Sequence, residues 1–261
     1  MSVTAFKRRL LENRVSVGSW ITLGHPAVAE IMAAAGFDWL AIDMEHSVIT
    51  LDVAQQLIQC IESRGVVPLV RLPENNATTI KRVMDAGAAG VIVPMVNGPE
   101  DATRAVRATK YPPRGCRGLG IARAQGYGAS VLEYVQRIEE NAVVIVQIED
   151  VRAVSQIDLV FQVPGIDGYL IGPFDLSASM GYAGQLDHPE VAAAVEKVFQ
   201  SGRRHGICAG FHVIPPSTAE IKKRFDQGYR FLAYSLDVLF LGETCRNGLE
   251  TLRAIREAKT P

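Results

Sequence analysis

The 261 residues are 48% hydrophobic and carry 27 basic against 28 acidic side chains. That is enough apolar material for one large core, and a net charge of −1 offers no bulk attraction for nucleic acid or a membrane surface. Four widely spaced cysteines with no CxxC pair argue against both a disulfide framework and a zinc site.

The chain opens on an amphipathic helical stretch, MSVTAFKRRLLENR (1–14), which lacks the apolar core of a signal segment. No apolar run approaches the ~20 residues of a membrane span, so a soluble cytoplasmic setting is the expectation. Strand-like runs then alternate with helical ones from end to end. The strands read as 17–23, 39–44, 67–72, 90–95, 142–149, 168–173, 207–213 and 231–236. Between them lie helical patterns such as LDVAQQLIQCIESRG, NATTIKRVMDAG, PEDATRAVRATKY and PEVAAAVEKVFQSGRRHG, several stopping at a glycine, the residue suited to a left-handed helix end. Eight near-continuously apolar strands separated by helices predict a closed (β/α)8 TIM barrel spanning 1–261 as a single domain. An open doubly wound sheet is the alternative, but no Gly-rich fingerprint follows the first strand.

The segment YPPRGCRGLGIARAQGYGAS (111–130) interrupts the pattern with five glycines, two prolines and three arginines. Loops of this length are uncommon in compact domains and often bind or cover a site. Arg117 and Arg123 suggest an anion-facing role for it.

Barrels of this kind hold their active sites at the C-terminal strand ends. Polar residues converge there: Trp20 and His25 after strand one, Asp43, Glu45 and His46 after strand two, Arg71 after strand three, Gln147 and Glu149 on strand five, Asp175 after strand six, and His212 on strand seven. Glu149 and Asp175 lie one βα repeat apart, on neighbouring strand ends, where two carboxylates suit a hard divalent cation. Each taken alone reads equally as a helix cap. Arg71 needs an anion or an internal carboxylate, with Asp43 and Glu45 as candidates. His46, beside carboxylates in sequence, is a candidate general base. All seven lysines (Lys7, Lys81, Lys110, Lys197, Lys222, Lys223 and Lys259) fall on helical patterns or their ends, which argues against Schiff-base chemistry.

Six segments, DMEHS (43–47), VRLPEN (70–75), DAGAAGVIVPMV (85–96), YPPRGCRGLG (111–120), VQIED (146–150) and IGPFDLSASMGY (171–182), resemble the HpcH/HpaI aldolase family of metal-dependent class II pyruvate aldolases. The resemblance implies a phosphoenolpyruvate/pyruvate-type barrel that reversibly cleaves a 2-oxo-4-hydroxy acid to pyruvate and an aldehyde, in aromatic or sugar-acid catabolism. It implies Glu149 and Asp175 as ligands of Mg2+, Mn2+ or Co2+, His46 as base oriented by Asp43, and Arg71 on the enolate. Gln147 and the stretch Gly172, Pro173, Phe174 would position the pyruvate unit, with Trp20 and Arg123 as further substrate contacts. It also implies a homo-oligomer, hexamer or trimer, in which Asp85 reaches a neighbour's site and the C-terminal helix serves subunit packing. The chain departs from related sugar-acid aldolases at Phe174, where a small residue is usual, and at SVITLD and AYSLDVLFL, all at the substrate end. The competing readings are a CoA-thioester lyase of the malyl or citramalyl type, an enolate-forming decarboxylase, and a non-catalytic carboxylate-binding barrel.

Overall fold

In the computed structural model, which describes residues 1–258, eight parallel strands close into a barrel in sequence order. They are β1 (Ser16–Ile21), β2 (Trp39–Asp43), β3 (Val67–Arg71), β4 (Gly90–Val93), β5 (Val143–Ile148), β6 (Gly168–Ile171), β7 (Cys208–Val213) and β8 (Phe231–Leu236). The helices are α1 (Val3–Leu11), α2 (Pro26–Ala34), α3 (Leu51–Ser63), α4 (Ala77–Asp85), α5 (Pro99–Thr109) and α6 (Val131–Asn141). They continue with α7 (Val151–Ser155), α8 (Ile157–Phe161), α9 (Pro173–Ser179), α10 (Pro189–His205), α11 (Thr218–Gln227) and α12 (Asp237–Ala258). The (β/α)8 expectation is met, and each strand starts and stops within two residues of its expected span. Lys259 lies outside the described residues.

Local chemistry sets the helix ends. Asn76 accepts the amides of Thr78 and Thr79 at the start of α4, and α2, α5, α9 and α10 each begin with proline, whose missing N–H costs nothing there. Gly206 ends α10 at φ 68, a left-handed conformation that a side chain would strain. His25 and His188 serve as helix caps, each accepting an amide on Nδ1.

Because strand side chains alternate between faces, each strand feeds two cores. Leu40 and Ile42 of β2 pack outward under the helices, while Trp39 and Ala41 pack inside the barrel. Inside, the Trp39 and Phe231 rings stack at 4.2 Å. Helix α1 closes this end of the barrel, burying Phe6 and Leu10 against the same interior cluster. Its Lys7 pairs at 3.1 Å with Asp167, whose carboxylate also accepts the Val144 amide at 2.8 Å.

Segment 111–130 does not line the pocket at the strand C-termini. Helix α5 runs back from the rim before the segment begins, and the segment's arginines meet the C-terminal ends of α3 and α4. Its arginines turn inward. The side chain of Arg117 is fully buried, donating to Asp85 at 2.6 Å and to the Tyr134 hydroxyl at 3.0 Å. Arg123 donates to the Ala86 carbonyl at 3.1 Å and pairs with Glu62. Both serve the ends of α3 and α4, where carbonyls and carboxylates attract cations.

Gly18 marks the tightest point of the interior. A Cβ there would sit 2.0 Å from the Trp39 ring. Gly18→Ala is therefore expected to lower stability by about 3 kcal/mol, the upper part of the overpacking range, read as a lower urea midpoint at unchanged slope.

Candidate active site

The inward side chains change character as the strands rise. Along β2 they run Trp39, Ala41, Asp43; along β3, Val67, Leu69, Arg71; along β5, Val143, Ile145, Gln147, and then Glu149 beyond its end. The apolar filling stops, and a cleft of about 290 Å3 opens above it at the C-terminal ends of the strands. Trp20, Asp43, His46, Arg71, Gln147, Gly172, Pro173, Phe174 and Asp175 all line it, as does His212.

Asp43 and Arg71 are register partners on adjacent strands. Arg71 donates from Nε to Asp43 Oδ1 at 2.9 Å and from Nη2 to Oδ2 at 2.6 Å. The same carboxylate accepts the backbone amides of Glu45 at 3.0 Å and His46 at 3.2 Å, which shapes the turn after β2. Burial alone would raise the Asp43 carboxyl, but the Arg71 hydrogen bond and charge and these amides hold it below its ordinary value.

Asp43 therefore orients the turn carrying His46, through its amide. The His46 ring itself faces Glu45, with Nε2 3.8 Å from Oε2, and its side chain is 64% exposed at the mouth. The expectation that Asp43 holds the imidazole is corrected on this point, since its oxygens are taken by Arg71 and two amides. Glu45 also lies 3.4 Å from Arg71 Nη1, yet its buried Oε2 makes no hydrogen bond. Burial, followed by the charges of Glu149, Asp43 and Asp175, pushes the Glu45 carboxyl up to about 7 against the pull of Arg71.

Glu149 is not a helix cap, because Asp150 caps α7 by accepting the Arg152 amide. The Glu149 carboxylate is buried, and accepts the Met95 amide on Oε1 at 2.6 Å and the Gln147 side-chain amide on Oε2. Met95 adopts φ 51 to present that amide, an uncommon conformation for a residue with a side chain. Gln147 thus fixes Glu149 as well as facing the cleft. Burial raises the Glu149 carboxyl, and the charge of Asp175 adds to the rise. Asp175 sits in the first turn of α9, whose N-cap is Gly172, and a Cβ on Gly172 would lie 2.9 Å from Glu149 Oε2. That close approach brings the turn into α9 beside Glu149.

These carboxylates suit a hard divalent cation. Glu45, Glu149 and Asp175 repel one another, one buried oxygen has no donor, and all the available atoms are oxygens. No cluster of three or more His, Cys, Asp or Glu able to hold a metal occurs among the described residues. Glu149 and Asp175 would accordingly leave most coordination positions to water and substrate, the usual arrangement for Mg2+.

His212, on the inward face of β7 with Cys208 and Gly210, completes the rim. Its ring lies 5.4 Å from that of Trp20, and Nε2 approaches the Ser235 carbonyl at 3.3 Å. Arg71 sits over the indole as well, 4.4 Å from its centre. Sequence reasoning noted His212 at a strand end but gave it no role; the period-two register with Cys208 and Gly210 is the signal that places it in the cleft. Arg123 and Asp85 do not line the cleft: Asp85, at the end of α4, accepts from Arg117 and from Gln125 at 3.3 Å.

The HpcH/HpaI aldolase/citrate lyase family model matches residues 16–242. The chain belongs to that family. It is 38% identical to a hydroxypyruvate/pyruvate aldolase of Paraburkholderia phytofirmans, over 95% of this chain and 97% of the relative. It is 36% identical to a 2-keto-3-deoxy-L-rhamnonate aldolase of Salmonella gallinarum, over 98% and 95%. The crystal structure of an HpcH/HpaI aldolase/citrate lyase family protein from Burkholderia cenocepacia superposes with a TM-score of 0.91 at 34% identity, covering 96% of this chain and 99% of that one. The HpcH/HpaI chain described here is an aldolase, a carbon–carbon lyase of a divalent-metal-dependent family. Relatives that are aldolases at this identity do not favour the thioester-lyase reading. No helix among the described residues is long and apolar enough to cross a membrane.

The rim has one clear acid sensitivity. Burial, and then the charge of Arg71, depress His212 from 6.5 to about 4. Between those values the unfolded chain binds a proton that the folded one does not, so stability falls as pH drops from 6.5 toward 4. His212→Gln is expected to flatten that part of the Tm-against-pH curve, and proton NMR should find the His212 ring uncharged at pH 5.5.

Proposed function

We propose that the cleft reversibly cleaves a 2-oxo-4-hydroxy acid to pyruvate and an aldehyde. One observation carries the reading: Arg71, locked by two bonds to Asp43, lines one cleft with the imidazole of His46 and with Asp175, and the carboxylates of Glu45 and Glu149 lie near enough to feel the charge of Asp175. Glu149 and Asp175 would hold a divalent cation (Mg2+, Mn2+ or Co2+), which supplies Lewis-acid polarisation of the 2-oxo acid.

The chain's own residues account for the proton and the charge. His46 accepts the C4-hydroxyl proton on an imidazole nitrogen. The O–H electron pair becomes the aldehyde C=O, the C3–C4 bond breaks, and its pair passes into the pyruvate enolate. Arg71 retains N–H donors beyond those given to Asp43 and meets the enolate oxygen with a charge-assisted bond. A donor so placed contributes ~3–4 kcal/mol to the transition state. Return of a proton to C3 completes pyruvate. The Asp43 amide contacts keep His46 on its turn, and Gln147 keeps Glu149 facing inward.

Helix α12 supports an assembly of several copies. Leu241, Leu249, Leu252 and Ile255 are each at least half exposed along it, a stripe that an isolated chain would leave in water. In such a homo-oligomer, hexamer or trimer, Asp85 would serve a neighbour's cleft, since it does not line its own. Leu249→Glu with Leu252→Glu is expected to reduce the mass measured by sedimentation, and an unchanged mass would remove α12 from the interface.

The catalytic reading is tested by following pyruvate methyl-proton exchange in D2O. EDTA should abolish exchange and Mg2+ or Mn2+ restore it, while borohydride in the presence of pyruvate should leave it intact, because no lysine among the described residues lines the cleft. His46→Asn should lower kcat for cleavage by about 100-fold or more, within the range for a general base. EDTA-resistant activity would contradict the proposal.

A further inference from the structure

Glu149 and Asp175 stand on two different turns, one after β5 and the other after β6. A pair of ligands from separate turns is defined only as well as the spacing between those turns. The strands keep register as far as Ile148 and Ile171, where the Gly172 amide donates to the Ile148 carbonyl at 3.1 Å. Beyond that point the two chains part, one into α7 and the other into α9. These helices have five and seven residues, too few to hold a direction without ties to their surroundings.

Ser179, the last residue of α9, crosses the gap. Its hydroxyl accepts the Val151 amide at 3.0 Å and donates to the Leu176 carbonyl at 2.8 Å. Val151 lies two residues after Glu149, and Leu176 directly follows Asp175. One oxygen thus joins the backbone beside one carboxylate to the backbone beside the other, using both the donor and the acceptor capacity of a hydroxyl. The Val151 amide opens α7 and has no acceptor inside that helix. Asp150 does not take it, since both of its oxygens serve Arg152. Water could satisfy the amide in this exposed turn, but it would not set the distance between the two helices. Ser177, on the same helix, offers a contrast. Its hydroxyl donates to the Phe174 carbonyl at 2.7 Å and accepts the Gly184 amide at 3.0 Å, which ties α9 to the loop after it and not to α7.

We propose that Ser179 is a positioning residue for the divalent cation: it fixes the separation of Glu149 and Asp175 by joining the turns that carry them. The inference rests on the reading above that these two carboxylates hold the cation, and it assigns the bridge that spaces them. Mn2+ titrated into the metal-stripped full chain, with the free ion read by electron paramagnetic resonance, tests it. Ser179→Ala should raise the Mn2+ Kd by about tenfold, the lower end of the range for residues that orient metal ligands. Ser179→Thr keeps the hydroxyl and should stay within about twofold of the wild type.

Ser179→Val has the shape of Ser179→Thr without its hydroxyl and should lose what Ser179→Thr keeps, which provides a second comparison should Ser179→Ala fold poorly. Ser177→Ala removes the other hydroxyl link of α9 and should leave the Mn2+ Kd within about twofold. Unfolded chains lower the number of sites in such a titration and leave the Kd of the folded ones unchanged. An unmoved Kd in Ser179→Ala and Ser179→Val, an equal loss in Ser177→Ala, or no recovery in Ser179→Thr overturns the proposal. A wild type that binds no Mn2+ would break the metal reading itself, whereas tight wild-type binding with unmoved Ser179 variants sinks this inference alone.

Discussion

The Asp43–Arg71 ion pair joins two neighbouring strand ends, and the geometry of the rim follows from it. Two hydrogen bonds fix the guanidinium against the carboxylate, so Arg71 presents its remaining donors to the cleft in one orientation. The same carboxylate gathers the amides of Glu45 and His46, which turns the chain sharply after β2 and brings His46 to the mouth. On its other side Arg71 stacks over Trp20, and its charge helps keep His212 neutral. Removing either partner would leave a charge in a poorly hydrated site, which costs more than the pair itself contributes.

A second constraint sits beneath the first. The barrel interior is filled up to the level of Leu69, Ile92, Ile145 and Leu170, and these strands then extend one to three residues further. Those last inward positions of β2, β3 and β5 face the cleft, so Asp43, Arg71 and Gln147 can occupy them without displacing the core. Glu149 uses this opening at the expense of its own hydration, offset by the amides of Met95 and Gln147. Met95 accepts an uncommon backbone conformation in the process, as residues around functional sites often do.

Much of this arrangement can be read in the sequence. The strands are short continuous apolar runs, and the abrupt polarity of Asp43, Glu45 and His46 after Leu40–Ile42 marks where one of them leaves the core. Glu149 and Asp175 stand out because βα spacing puts them on adjacent strand ends. Which acid meets which base does not follow from spacing. Asp43 lies three residues and Glu45 one residue before His46 along the chain, and which of them meets the ring depends on Arg71, 28 residues beyond Asp43, claiming that carboxylate. Arg117 and Arg123 misled for a related reason. Their segment follows a strand that ends at the rim, but α5 carries the chain back from the rim before either arginine occurs. Charge in a glycine-rich loop indicates a partner, and here the partners are internal.

Helix α1 gives the barrel a floor. With Phe6 and Leu10 seated below Trp39 and Phe231, the end of the barrel opposite the cleft is filled, and His46 and Phe174 are exposed at the cleft's mouth. Traffic through a one-ended vessel is ordered by depth. Whichever product lies deeper, beside the nearly buried Arg71 and Gln147, must wait for the one above it to depart. A helix that touches no reacting atom thereby sets the sequence in which products are released, and the order in which the reverse reaction must be loaded.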